Sequence, residues 1–172
     1  LDRLRDAIAA AARDRRVFAV LMCDLDGFKA VNDTWGHEAG DTVLEAVVRC
    51  LEGAVRENDT VARLGGDEFA VLLPKVARRE DVAIVAERLV AALTEPIDIG
   101  RARCKVGISI GIATFPVDGG DMDRLVARAD VAMYDSKRAG KNRFSYSAGS
   151  EEAPHAVPIL RWNDAHDVGN VM

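Results

Sequence analysis

The order of patterns along the chain predicts an α+β fold, a ferredoxin-like split βαβ sheet that contains antiparallel strands and is flanked by helices. Three observations carry this. Helical and strand periodicities alternate along the sequence. The pair Gly65-Gly66 separates two short apolar runs and forces an antiparallel hairpin between them. Residues 105–115 place bulky side chains on one face and small ones on the other, as a strand packed differently on its two sides would.

Taken in order, residues 2–15 put Leu4, Ile8 and Ala11 at helical spacing. Val17 to Cys23 is a continuous apolar run and reads as a buried central strand, ended by Asp24-Leu25-Asp26-Gly27. Asn32 to Asp41 is polar and marked by glycines, so it reads as a loop in which Trp35 packs and His37 forms hydrogen bonds. Asp41-Thr42 then caps a helix with Val43, Leu44, Val47, Val48, Leu51 and Val55 on its apolar stripe. The strands of the hairpin are Thr60 to Leu64 and Ala70 to Leu73, with Pro74 stopping the second. A helix over 81–93 uses Val82, Val85, Leu89 and Leu93. Val106, Ile108, Ile110 and Ile112 then alternate with Gly107, Ser109, Gly111 and Ala113. A helix over 121–138 and a short strand at 143–146 complete the pattern, and 148–158 reads as a linker.

Bulk properties narrow the function classes. The chain has 172 residues, 49% hydrophobic and 30% charged, which suits one globular domain and a short extra segment. A net charge of -5 gives no basic footprint for nucleic acid, so a polyphosphate ligand would need a metal ion and a few placed cations. Cys23, Cys50 and Cys104 lie singly in apolar runs and read as buried reduced thiols of a cytoplasmic protein. No apolar run is long enough to span a bilayer. The chain opens on Leu1, within a helical pattern, and reads as a piece of a longer protein.

The chemistry concentrates in a few places. Asp24 and Asp26 leave a strand two residues apart and therefore face one side, while Asp67 and Glu68 sit at the tip of the Gly65-Gly66 hairpin. Each acid alone reads as a turn former. Gathered at one sheet edge beside bare backbone, they read as hard oxygen ligands for Mg²⁺ completed by phosphate oxygens. Asn32 and Asp41 admit two readings, a loop with a helix cap or groups that read the hydrogen-bonding edge of guanine. The basic run Lys137 to Arg143 either complements a helix dipole or binds phosphate.

Three separated motifs together resemble one family. They are Gly65-Gly66-Asp67-Glu68-Phe69, the stretch Asp24-x-Asp26-x-Phe28-Lys29-x-x-Asn32-Asp33-x-x-Gly36-His37-x-x-Gly40-Asp41, and Tyr134-x-x-Lys137-x-x-Gly140-Lys141-Asn142. In order and spacing they are similar to the GGDEF diguanylate cyclases, over about residues 1–147. The resemblance implies a palm-like fold shared with class III nucleotide cyclases, in which two GTP condense to cyclic di-GMP and two pyrophosphates. It implies Mg²⁺ or Mn²⁺ on Asp24 and Asp67 with the Leu25 carbonyl assisting, Glu68 as a further metal ligand or as the group that activates the ribose 3′ hydroxyl, and Asp67, Glu68 and Lys29 in catalytic roles. It implies guanine on Asn32 and Asp41. The triphosphate would lie on Lys29, Lys137 and Lys141, against the backbone of Gly27, Phe28, Gly65 and Gly66. Catalysis would need a homodimer, with no nucleic acid and no membrane segment in this chain. Arg56-x-x-Asp59, with Arg88, resembles the family's product-inhibition motif. A D-x-L-T-G-L-x-N-R segment usual before the first helix is missing, as in a truncated domain, and position 141 is Lys where many members carry Arg. Residues 159–170 resemble the opening of a bacterial hemerythrin domain, without that family's later iron ligands.

Overall fold

The computed structural model describes residues 17–148, together with Arg13 and the backbone of His166–Asp167. The expected helix over 2–15 and the segment 149–172 otherwise lie outside the described residues. The elements are β1 (Val17–Asp26), α1 (Phe28–Trp35), α2 (His37–Ala54), β2 (Thr60–Gly65), β3 (Glu68–Val76) and α3 (Asp81–Ala92). They continue with β4 (Ile97–Asp98), β5 (Arg103–Cys104), β6 (Gly107–Phe115), α4 (Met122–Arg138), β7 (Arg143–Tyr146) and β8 (His166–Asp167).

The main sheet has the order β7-β6-β1-β3-β2-β8. β1 lies between β3 and β6, antiparallel to both, and β3 separates β1 from β2. This is the split βαβ arrangement the patterns predict. β7 adds in parallel to β6, and the β8 backbone pairs antiparallel with Ala62 and Arg63 of β2.

Alternation along β1 divides the core in two. Ala19, Leu21, Cys23 and Leu25 join α1, α2, α3 and the isoleucines of β6 in the larger cluster. Phe18, Val20 and Met22 join Leu125, Ala129 and Met133 of α4 in the smaller one, where Phe18 stacks on Phe115 at 5.0 Å. The two faces of β6 explain the asymmetry. Its isoleucines fill the wide layer beneath α2 and α3, while Gly111 lets α4 settle against backbone. A Cβ on Gly111 would overlap the carbonyl oxygen of Ala129 and the amide nitrogen of Met133.

Several boundaries differ from the sequence reading. The stretch 32–41 is not a loop: α1 and α2 run through it and meet at Gly36, whose φ of 83° turns one helix into the next. Asp41 is therefore not a cap but lies in the second turn of α2, and α2 ends at Ala54. β1 runs on to Asp26 because β6 pairs with it along its whole length. Pro74 does not stop β3, which reaches Val76, because the β1–β3 register shifts between Val17 and Ala19 and the ladder there demands no regular donor. The β4–β5 hairpin carried too few residues to show a pattern. All three cysteines are free; Cys23 and Cys104 are buried, Cys50 half-buried. Burial, with Asp24 adding repulsion, pushes the Cys23 thiol far up and leaves it unreactive.

Gly111→Ala is expected to cost about 3 kcal/mol or more, since the overlap falls on helix backbone and no side chain can yield. Urea unfolding of the variant measures it, and a cost under about 1 kcal/mol would show that α4 can shift outward freely.

Candidate active site

The site lies at one edge of the sheet, where β1 ends, the β2–β3 hairpin turns and α4 finishes. A cavity of about 430 Å³ there is lined by residues 24–30, Asp33, Asp67, Lys137 and Lys141. Each wall has a local cause. Gly27, at φ 87°, ends β1 in a left-handed conformation and opens α1, so the first amides of that helix face the cavity side without intrahelical partners. The hairpin closes on Gly66-Asp67, with Gly65 opposite Glu68 and a register shift between Arg63 and Gly65. Arg63 braces the turn through Nε and a terminal guanidinium nitrogen, which donate to the Gly66 carbonyl at 3.1 and 2.9 Å. The Leu25 amide donates to the Asp67 carbonyl at 3.1 Å and ties the end of β1 to the hairpin tip.

Two acids on β1 take different roles. Asp26 accepts from Ser109 Oγ at 2.9–3.0 Å and from the Asn142 amide at 2.9 Å. It thus fixes the α4–β7 loop, whose Lys141 and Asn142 adopt φ of 63° and 48°. Asp24 is buried and pairs with Lys137 Nζ at 2.7 Å. Burial raises its pKa most; the Lys137 hydrogen bond and charge oppose this, Asp67 and Asp26 add repulsion, and the balance lies above its ordinary value.

The structure brings Asp24, Leu25, Gly27, Phe28, Lys29, Asp67, Lys137 and Lys141 to one cavity. Glu68 sits directly across the β1–β3 ladder from Asp24. Gly65 and Gly66 form the hairpin tip beside it. Asn32 and Asp41 stand further along α1 and α2, where the Asn32 amide packs on Gly40. Arg56 and Asp59 lie far from this edge in a tight turn between α2 and β2; the Arg56 amide donates to Asp59 Oδ2 at 2.9 Å, leaving the Arg56 side chain exposed. Arg88 is exposed on α3. Sequence reasoning passed over Ser109 because its role comes from a cross-strand neighbour, Asp26, and over Arg63 because its hold on the Gly66 carbonyl depends on the exact turn geometry. It passed over Asp33 as a cavity residue because only an α1 helix turns position 33 back toward position 29.

Among the described residues no three His, Cys, Asp or Glu side chains form a preassembled metal cage. Mg²⁺ does not demand one, since it commonly takes one or two carboxylates and completes its shell with water and phosphate oxygens. Carboxylates of Asp24 and Asp67 beside an open, lysine-rimmed cavity fit that mode.

The profile described as diguanylate cyclase, GGDEF domain, matches residues 1–143. The chain belongs to the GGDEF family. It is 47% identical over 152 residues to the bifunctional diguanylate cyclase/cyclic di-GMP phosphodiesterase MucR of Pseudomonas aeruginosa, covering 88% of this chain and 22% of that protein. It is 41% identical over 140 residues to the diguanylate cyclase TpbB of the same species, covering 81% of this chain and 32% of the relative. The GGDEF chain therefore spans about a third or less of these relatives. The crystal structure of the TpbB GGDEF domain superposes with a TM-score of 0.84 at 39% identity, covering 86% of this chain and 92% of that one. The DgcB GGDEF domain from Caulobacter crescentus, solved in complex with c-di-GMP, gives 0.77 at 31%, covering 85% and 86%. The palm-like fold of nucleotide cyclases follows from these neighbours. Among the described residues no helix is long and apolar enough to cross a membrane.

Because the pKa of Asp24 rises on folding, the folded state binds that proton more tightly than the unfolded chain does. The contribution favours folding fully below the unfolded-state value and is lost as pH climbs through the folded one. At neutral pH the ionised side chain thus costs stability, and Asp24→Asn is expected to melt at or above the wild-type temperature at pH 7. A lower melting temperature would show that the Lys137 pair outweighs the burial of the charge.

Proposed function

We propose that this domain is a diguanylate cyclase that condenses two GTP into cyclic di-GMP and two pyrophosphates. The observation that carries the reading is the meeting of Asp24, Asp67 and three lysines around one cavity in a GGDEF domain. Each condensation forms a bond from a ribose 3′ oxygen to an α-phosphorus and breaks the bond to pyrophosphate, and two such steps close the ring. Such chemistry asks the protein chiefly for alignment and charge stabilisation.

In this reading Asp24, Asp67, Glu68 and the Leu25 carbonyl hold Mg²⁺ or Mn²⁺. The metal, when bound, polarises the phosphate and favours the ionised 3′ hydroxyl. Glu68, at the start of β3, accepts the 3′-hydroxyl proton. The first turn of α1 and the Gly65-Gly66 backbone approach the phosphates, while Lys29, Lys137 and Lys141 balance their charge. Lys137 exchanges its bond to Asp24 for one to phosphate, freeing the carboxylate. Asn32 and Asp41 take the guanine. One such set of residues serves one GTP, so in this reading a second copy presents the other GTP and the working form is a homodimer. We place it in the cytoplasm, a reducing compartment in keeping with three free cysteines.

A second reading, a GTP- or cyclic di-GMP-binding module without turnover, has one observation in its favour. The cyclic di-GMP phosphodiesterase NbdA of Pseudomonas aeruginosa is 34% identical over 128 residues, covering 74% of this chain and 16% of that protein. Incubating the full-length protein with GTP and Mg²⁺ separates the two: cyclic di-GMP appears in the first case, and GTP binds unchanged in the second.

Asp67→Ala is expected to abolish product while leaving the fold melting normally, and retained turnover would remove Asp67 from the metal site. We further assign product inhibition to Arg56, Asp59 and Arg88, because the Arg56 side chain is exposed at the 56–59 turn, where a guanidinium can fork onto phosphate or stack on guanine. Arg56→Ala should raise the cyclic di-GMP concentration needed for half-inhibition by about tenfold or more, a loss of one charge-assisted contact. An unchanged value would move the inhibitory site elsewhere.

A further inference from the structure

The β4–β5 hairpin lies outside every motif of the site, yet its tip reaches the joint between α1 and α2. Residues 99–102 make the turn: Gly100 has φ 83°, and the Ile99 amide donates to the Ala102 carbonyl at 2.9 Å. The base of the hairpin is seated, with Cys104 buried and Ile97 and Ile99 packed on the larger core cluster. From this seat the Arg101 guanidinium donates to the Trp35 carbonyl, across 66 residues of sequence. Its Cζ also stands 5.6 Å above the centroid of the Trp35 indole.

Trp35 is the last residue of α1, so its carbonyl belongs to the group at a helix end that lacks intrahelical donors and carries partial negative charge. Next to it, Gly36 is a bare pivot: a Cβ there would meet nothing within 4 Å. The Gly36 amide closes α1 on the Asn32 carbonyl at 2.9 Å, and the Gly40 amide begins α2 on the Gly36 carbonyl at 3.2 Å. Across this pivot the Asn32 amide group rests on Gly40, one residue before Asp41, leaving no room for a Cβ. The relative position of Asn32 and Asp41 is thus a function of the α1–α2 angle, and Arg101 braces that angle from outside.

We propose that Arg101 is a positioning residue for the guanine end of the nucleotide site, acting through Trp35 on the spacing of Asn32 and Asp41. The inference rests on the nucleotide reading given above. Guanine offers an adjacent ring N–H and amino group, and two acceptors read that edge only when held at a fixed separation. A loosened joint therefore costs affinity at the base and leaves the triphosphate contacts intact.

The test is equilibrium binding of GTP and of inosine triphosphate, which lacks the 2-amino group, to wild type, Arg101→Ala and Arg101→Lys, with melting temperatures alongside. Arg101 does not touch the nucleotide, so only part of the loss of its charge-assisted hydrogen bond reaches the base, and the Kd for GTP should rise about three- to tenfold in Arg101→Ala. The preference for GTP over inosine triphosphate should shrink in the same variant. In turnover, KM should rise more than kcat falls. Arg101→Lys should lie between, since it keeps the charge but loses the planar stack. Wild-type affinity and preference in Arg101→Ala would overturn the inference, as would equal losses for both nucleotides. Failure of the wild-type protein to bind GTP is a different result, and it would overturn the nucleotide reading and this inference together.

Discussion

The approach of α4 to the sheet, made possible by the absent side chain of Gly111, sets where the cations of the site stand. With the Ala129–Met133 backbone against that glycine, the next turn of α4 comes down far enough for Ser136 Oγ to donate to the Ile110 carbonyl at 2.7 Å. One residue later Lys137 meets Asp24 at 2.7 Å. A helix held off by even one methyl group would carry Lys137 away from the carboxylate and draw Lys141 out of the cavity wall. The close packing costs little, because Leu125, Ala129 and Met133 still bury a continuous apolar face with Phe18, Val20 and Met22.

The same edge shows how stability is surrendered where chemistry is needed. β1 is apolar for most of its length, yet its last three residues include two acids, which stand opposite Ser109 and Gly107 of β6. Asp26 is fully engaged by Ser109 and the Asn142 amide, and so becomes part of the frame. Asp24 pairs instead with Lys137, and burial opposes the ionisation of its carboxylate. In the reading proposed above, a metal ion would take Asp24 and a phosphate would take Lys137, so the pair balances the charge of the cavity and would part when those ligands arrive.

Much of this was legible in the residues. The hairpin at Gly65-Gly66 is written as two glycines between apolar runs, and the unequal faces of β6 are written as alternating isoleucine and small residues. Asp24, Asp67 and the Lys137–Lys141 run announce themselves by chemical type at glycine-marked ends of elements. The stretch 32–41 was not legible, because its only buried side chains are small or lie at its margins and an exposed helix leaves no apolar stripe to read. Its helical state depends on Phe28 and Val31 reaching the core and on a pivot at Gly36. The β4–β5 hairpin was equally silent, since two-residue strands give no period.

What the sequence determined by itself is the set of chemical groups and the order of elements, because periodicity and turn chemistry are local properties of neighbouring residues. The tertiary structure alone decided that Asp24 faces a cation at the cavity while Asp26 is held in the framework, because the two differ in what stands opposite them: a lysine from α4 in one case, a serine of β6 and a loop amide in the other. It alone decided that Arg101 reaches Trp35, a contact between residues 66 positions apart that no local pattern encodes. Contacts of that separation exist only once the sheet has set the distances between its connections.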